Sequence, residues 1–228
     1  MRKFIALVMS CVLTFTLAVP ALAVEVEPLS PQILSDTSSE RTVTVDDATA
    51  TYYKDSNTVT VTQDGQSATF SLDPIENASL PSLQSNKTII RDETVWMHEY
   101  EYYKTSNTSF YWTIDIPSLN INPSEWCDPI TVSDNGSKAA KACSSFASYI
   151  DDAKENEVDL LAYGGAIAVS AAIGFISKNM QFTKAAYIAA CAAAGITVTS
   201  NVAGIAGDYI NNILNSRDEY YAVQGYVS

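Results

Sequence analysis

The side chains able to do chemistry are few and lie close together. His98 is the lone histidine of the chain, and Glu99 and Glu101 follow it on alternate positions, with Asp115 on the facing arm of what reads as a hairpin. An imidazole titrates near neutrality and suits a general base. Carboxylates sharing one strand face suit glycoside hydrolysis or a weak calcium site. The simpler expectation is structural: His98 sits in a sheet between Trp96 and Tyr100, and the three acids occupy the solvated face of that sheet. Trp96, Tyr100, Tyr102 and Trp112 would stack on sugars or grip a protein if they faced outward, but a small sheet turns such rings inward as core. The sequence holds no Gly-x-Ser-x-Gly elbow, phosphate-cradling glycine loop, His-Glu-x-x-His helix or Cys-x-x-Cys pair. The chain is therefore read as noncatalytic, with no catalytic residue, cofactor or metal.

The cysteines bear on compartment. The first 23 residues have a basic start (Arg2, Lys3), an apolar run from Phe4 to Val19 and a small-residue site, Ala21-Leu22-Ala23, as an export signal requires. Cleavage is expected after Ala23. The alternative takes Val8-Met9-Ser10-Cys11 as a lipoprotein box with Cys11 acylated, at the cost of a very short apolar core. A secreted, extracellular chain would keep Cys127, Cys143 and Cys191. Cys127 and Cys143 are the expected disulfide pair, being in a polar region, while Cys191 lies among alanines; the alternative leaves all three free, with Cys191 a small buried hydrophobe.

Charge narrows the partners. The 228 residues carry 13 basic and 26 acidic side chains, a net of −13, and loss of Arg2 and Lys3 takes this to −15. Such a chain repels a phosphate backbone, so nucleic acid is excluded as a partner. With 47% hydrophobic residues the chain is long enough for a sizeable core.

The elements that position these residues divide the chain in two. Residues 24–40 are rich in proline, serine and acids without a period and read as a flexible leader. From Val43 to Leu72 threonine, valine and tyrosine alternate, the pattern of half-buried strands. A type I′ turn at Asp64-Gly65 sets Val61 opposite Ala68 and Val59 opposite Phe70, and a turn at Lys54 to Asn57 sets Tyr52 opposite Val59. A second hairpin joins Thr94–Lys104 to Thr108–Ile116; closing it at Thr105-Ser106-Asn107 pairs Tyr102 with Phe110, Tyr100 with Trp112 and His98 with Ile114. The front domain, residues 41–137, is thus an antiparallel β-sheet of two hairpins or a meander.

After Gly136 the spacing becomes helical, and residues 138–228 read as a helical domain; the fold class is α+β. Ala142, Phe146, Tyr149, Ile150 and Ala153 make one apolar stripe. Leu160 to Ser177 and Ala185 to Gly207 are uncharged, near the length that spans a hydrocarbon core. They are rich in alanine and glycine at four-residue intervals, which favours close helix packing. Lys178 to Lys184 forms the turn between them, with Thr183 as N-cap. This hydrophobic helical hairpin, residues 158–207, has three possible states: a soluble packed pair, a bilayer-resident pair, or a soluble pair released into lipid. The tail, Tyr220 to Val227, is expected to add a strand to the front sheet.

The segments LLAYGGAIAVSAAIGFIS (160–177), KNMQFTK (178–184) and AAYIAACAAAGITVTSNVAG (185–204) resemble the buried hydrophobic hairpin of pore-forming colicins. With the export signal, the alanine- and glycine-rich carboxyl half is similar to secreted bacteriocin-type proteins of Gram-positive bacteria. The likeness covers under a third of the chain, and the acidic front half departs from the cationic character of many antimicrobial proteins. It implies an antimicrobial, membrane-perturbing protein whose partner is a target-cell membrane or surface component, accompanied by an immunity partner. Lys178, Phe182 and Lys184 would make the membrane contact. A soluble extracellular binding or adhesion module, its sheet recognising a surface polymer or protein, is the alternative.

Overall fold

A computed structural model describes residues 29–74, 87–117 and 126–228; the export signal, Cys11 and leader residues 24–28 lie outside them. The fold is α+β: a five-stranded antiparallel sheet, a four-stranded antiparallel sheet and three helices among the described residues.

The first sheet is a meander of β1 (Gln32–Asp36), β2 (Glu40–Val45), β3 (Ala48–Tyr53), β4 (Thr58–Gln63) and β5 (Gln66–Ser71). Its register is the one that the turn chemistry dictates: Val61 faces Ala68, Val59 faces Phe70, and Tyr52 faces Val59. Asp64 and Gly65 both have positive φ, as a type I′ turn requires. One face, made by Val43, Val45, Ala48, Ala50, Val59, Val61 and Phe70, is buried. The other carries two ranks of hydroxyls, Thr44-Thr49-Thr62-Ser67 and Thr42-Thr51-Thr60-Thr69. Thr42 and Thr51 hydrogen-bond across the strands at 3.0 Å, and Thr60 and Thr69 at 2.7 Å. The leader was expected to lack a fold, yet Gln32–Asp36 within it form β1. Asp36 explains why this exposed strand holds its place: it pairs with Arg41 at 2.8 Å and with Lys54 at 2.7 Å.

The second sheet runs β6 (Thr88–Val95), β7 (His98–Lys104), β8 (Phe110–Asp115) and β9 (Ile130–Ser133). The arm expected from Thr94 to Lys104 is broken at Trp96 and Met97, which both have positive φ and turn β6 into β7. Two bulky apolar residues in a left-handed turn give no composition cue; burial of both side chains stabilises the conformation. The β7–β8 register also differs from expectation by two residues. Tyr102 faces Trp112 and Tyr100 faces Ile114, because the loop closes with Thr105 donating to the Ser109 carbonyl. A two-residue slip preserves the faces, so Tyr100, Trp112 and Ile114 still point inward.

Helix α1 (Lys138–Ser177) starts at Ser137, whose hydroxyl accepts the Ala140 amide at 3.2 Å. It is interrupted by a kink at Gly165 (φ 63°, ψ −166°). Helix α2 (Lys184–Ala193) starts, as expected, at the Thr183 cap. The second arm of the expected hairpin is not one helix. Gly195 takes φ 87° and, with Ile196, closes a Schellman motif on Ala192 and Cys191. Thr199 then caps α3 (Ser200–Val227). The tail forms no strand: Val202, Ala206, Tyr209, Ile213, Ser216, Tyr220 and Val223 alternate four- and three-residue steps, and all are buried on the inner face of α3.

Helix α2 lies on β2, β3 and β4, while α1 and α3 pack along each other; α1 reaches both sheets. One cluster of buried apolar residues joins both sheets and all three helices. At the tightest approach, Gly174 of α1 lies against the Phe70 ring so closely that a Cβ there would overlap it.

Candidate functional site

Two places in this frame depart from ordinary packing. The first is the polar junction where β7 begins. His98 is fully buried, stacked between the rings of Trp96 (5.8 Å) and Phe146 of α1 (6.4 Å). Its Nδ1 lies 2.8 Å from Oγ of Ser216 on α3. That hydroxyl donates to the Ile213 carbonyl at 2.8 Å, so its proton is committed and Nδ1 must be the donor in the pair. The ring is thereby held as the neutral Nδ1–H tautomer, and Nε2 has no partner among the described residues. Burial, aided by the positive charge of Arg217, pushes the imidazole down to about 3. A base this weak, sealed from solvent, does not serve proton transfer near neutrality.

The acids expected on a wet face are not wet. Glu99 and Asp115 are cross-strand partners, and both are buried. One oxygen of Asp115 accepts the Ile116 amide at 2.8 Å, while Oδ2 is buried without a partner among the described residues. Burial drives its carboxyl up to about 7, with further lifting from the charges of Glu99 and Asp128. Glu101 pairs with Lys87 at the same face. Asp115 is fully buried, and among the described residues no group of three or more His, Cys, Asp or Glu side chains is placed to hold a metal. The rings are core: Trp96, Tyr100 and Trp112 are buried, Tyr102 stacks on Trp112 at 4.3 Å, and the Tyr100 hydroxyl donates to Asp151 of α1 at 2.7 Å.

The thiols are unbridged. Cys127, Cys143 and Cys191 are all free, against the expected Cys127–Cys143 disulfide. The helical pattern places Cys143 on the buried stripe of α1, where its environment pushes the thiol up to about 12, while Cys127 sits half-buried before β9.

The second place is the kink in α1. Around Gly165 the helix leaves apolar side chains in water: Val158 is 55%, Leu161 46% and Tyr163 63% exposed. Leu161 and Ala166 also line a small groove with Pro74, Val169 and Ile173, which Glu157 and Ser170 border with polar groups. The remainder of the uncharged half, Ala168 to Ile176, is mostly buried. Of the three residues expected at the leading turn, Lys178 and Lys184 are exposed. Phe182 instead turns inward, 5.6 Å from the Phe175 ring and 5.8 Å from that of Tyr187. The turn therefore presents charge, and the kink presents apolar surface. Sequence reasoning passed over Val158, Leu161 and Tyr163; the adjacent Gly164 and Gly165 were the available signal for a break in the helix just after them. No family model, curated protein or solved structure matches the chain.

Proposed function

We propose that this is an exported, membrane-perturbing protein of the bacteriocin kind, acting without catalysis, in which the kinked apolar half of α1 makes the first contact with a target-cell membrane. The exposed trio Val158, Leu161 and Tyr163 beside an uncharged run of helix supports this reading best. Val158 and Leu161, three residues apart, share one side of the helix and Tyr163 projects from another; such apolar side chains enter the interfacial region of a bilayer at a gain of about 25 cal/mol per Å2 removed from water. Lys178 and Lys184, at the far end of the same run, suit the headgroup level. The acidic charge of the chain keeps it soluble and calls for a surface component to hold it near anionic lipid; a cognate immunity partner would protect the producer. Dye release from vesicles tests the reading. Leu161→Glu with Tyr163→Ser should reduce leakage at least ten-fold while leaving the folded spectrum intact. Absence of leakage by the parent chain at every pH and lipid composition, with no killing of neighbouring strains, refutes it.

The two hydroxyl ranks on β2 to β5 favour a second reading, a binding module that recognises a surface polymer through this uncharged face. Thr51→Lys with Thr60→Lys in the full chain would then abolish cell-wall binding and leave leakage untouched.

A further inference from the structure

We propose that His98 is an acid-sensitive latch: uptake of a proton at Nε2 releases the β6–β7 end of the second sheet from α1 and α3. It rests on the membrane reading above only for its use, since release would free the helices for lipid; the latch itself is a property of the soluble chain. The geometry is specific. His98 meets all three neighbouring elements at one point: the Trp96 ring of the β6–β7 turn, the Phe146 ring of α1 and the Ser216 hydroxyl of α3. Neutral, it is a flat apolar plate with its one N–H satisfied. Charged, it gains a second N–H where no acceptor stands among the described residues, and a buried donor without a partner costs stability.

The surroundings offer the cation nothing. Phe146 and Trp96 are uncharged, the Ser216 hydroxyl already donates its hydrogen bond to the Ile213 carbonyl, and the charge acting on the ring is the like charge of Arg217 on α3. Glu99 follows His98 in the strand and lies on the opposite face with Asp115. The turn that the latch holds has two bulky residues at φ 43° and 63°, so the release direction also relieves backbone strain. The proton comes from solvent and binds the free lone pair of Nε2; no bond is broken.

Because the folded ring resists protonation and the opened ring does not, the equilibrium for opening rises about ten-fold for each pH unit below the ordinary histidine value of about 6.5. Asp115 acts in the opposite sense, gaining a proton in the folded state over part of the same range, so global denaturation mixes the two and a local probe is needed. Amide exchange of β7 and α3, corrected for intrinsic rates, should speed up about fifty-fold in the opening equilibrium between pH 6.5 and 4.5, since the opened ring is already half protonated at the upper value, and His98→Phe should abolish that dependence. As His98 is the lone histidine, its ring resonances report directly: in the native chain they should remain neutral well below pH 5. Should His98→Phe fail to fold, Arg217→Gln supplies the second variant, expected to raise the native titration of the ring. A native ring that titrates near 6.5, or exchange that ignores pH, overturns the latch. Vesicle leakage is read apart: opening in acid without leakage refutes the membrane reading and leaves the latch, whereas leakage with pH-blind exchange does the reverse.

Discussion

Asp115→Asn should convert a pH-dependent liability of the fold into a pH-independent one. The carboxyl is buried at the end of β8, its Oδ1 accepts the Ile116 amide, and Oδ2 has no partner among the described residues. Burial lifts it from 3.8 to about 7. The folded chain therefore keeps this proton between those values while the unfolded chain has lost it, so stability falls as pH rises through the window and levels off above pH 7. At about 1.36 kcal/mol per pH unit the ceiling is about 4 kcal/mol. Water entry and backbone relaxation around an ionised group reduce such ceilings, so we expect about 1–2 kcal/mol. Asparagine keeps the Ile116 bond and cannot ionise, though it leaves two donors where Oδ2 stood, a cost that does not vary with pH. Urea unfolding followed by tryptophan emission at pH 5.5, 7 and 8.5 gives the comparison. The variant should gain on the parent by that amount between the lowest and highest pH. A parent-to-variant difference that stays constant across the range refutes a buried, elevated carboxyl.

Gly174→Ala should destabilise by about 1–3 kcal/mol, since the added methyl overlaps the Phe70 ring and the contact between α1 and β5 must open; thermal unfolding checks this, and an unchanged midpoint would deny the close approach. In the native chain Cys143 and Cys191, both buried and with thiols pushed up to about 12, should resist thiol reagents until denaturant is added, while Cys127 reacts first. Mass spectrometry of the oxidised native chain should show no Cys127–Cys143 bridge.

Much of the first sheet was legible because its turns announce themselves. Asp64-Gly65 allows one register, and with threonine facing threonine across β3 and β4 a slip by one would bury hydroxyls and expose valines. The second sheet was less so. The Trp96-Met97 turn contradicts the composition of turns and exists through burial, which no local pattern encodes. Glu99 and Asp115 were placed on a wet face by alternation alone; alternation tells which face a residue shares and not whether that face is covered. The second helix starts at the Thr183 cap that the sequence offers, and the first just after Gly136, but Gly195 and Thr199 divide a run that hydropathy reads as continuous. Seven of the buried positions of α3, from Val202 to Val223, carry a sustained four-three rhythm that argues against the strand expected at its end. Ahead of the kink, apolar composition was visible, while the exposure of Val158, Leu161 and Tyr163 depends on which sides of α1 the rest of the fold covers.

The order in which the core is assembled has a consequence for biosynthesis. Val43, Val61 and Phe70 are made early, yet the helices that cover their sheet come late: α1 reaches Phe70 only at Gly174, and α2, which lies on β2 to β4, begins at Lys184. For much of its elongation the nascent chain holds a greasy, strand-forming surface with little to lie against it, a state prone to aggregation. Completion of folding must wait until these helices are synthesised, so the bare sheet is the part of the chain most exposed to wrong association while it is being made.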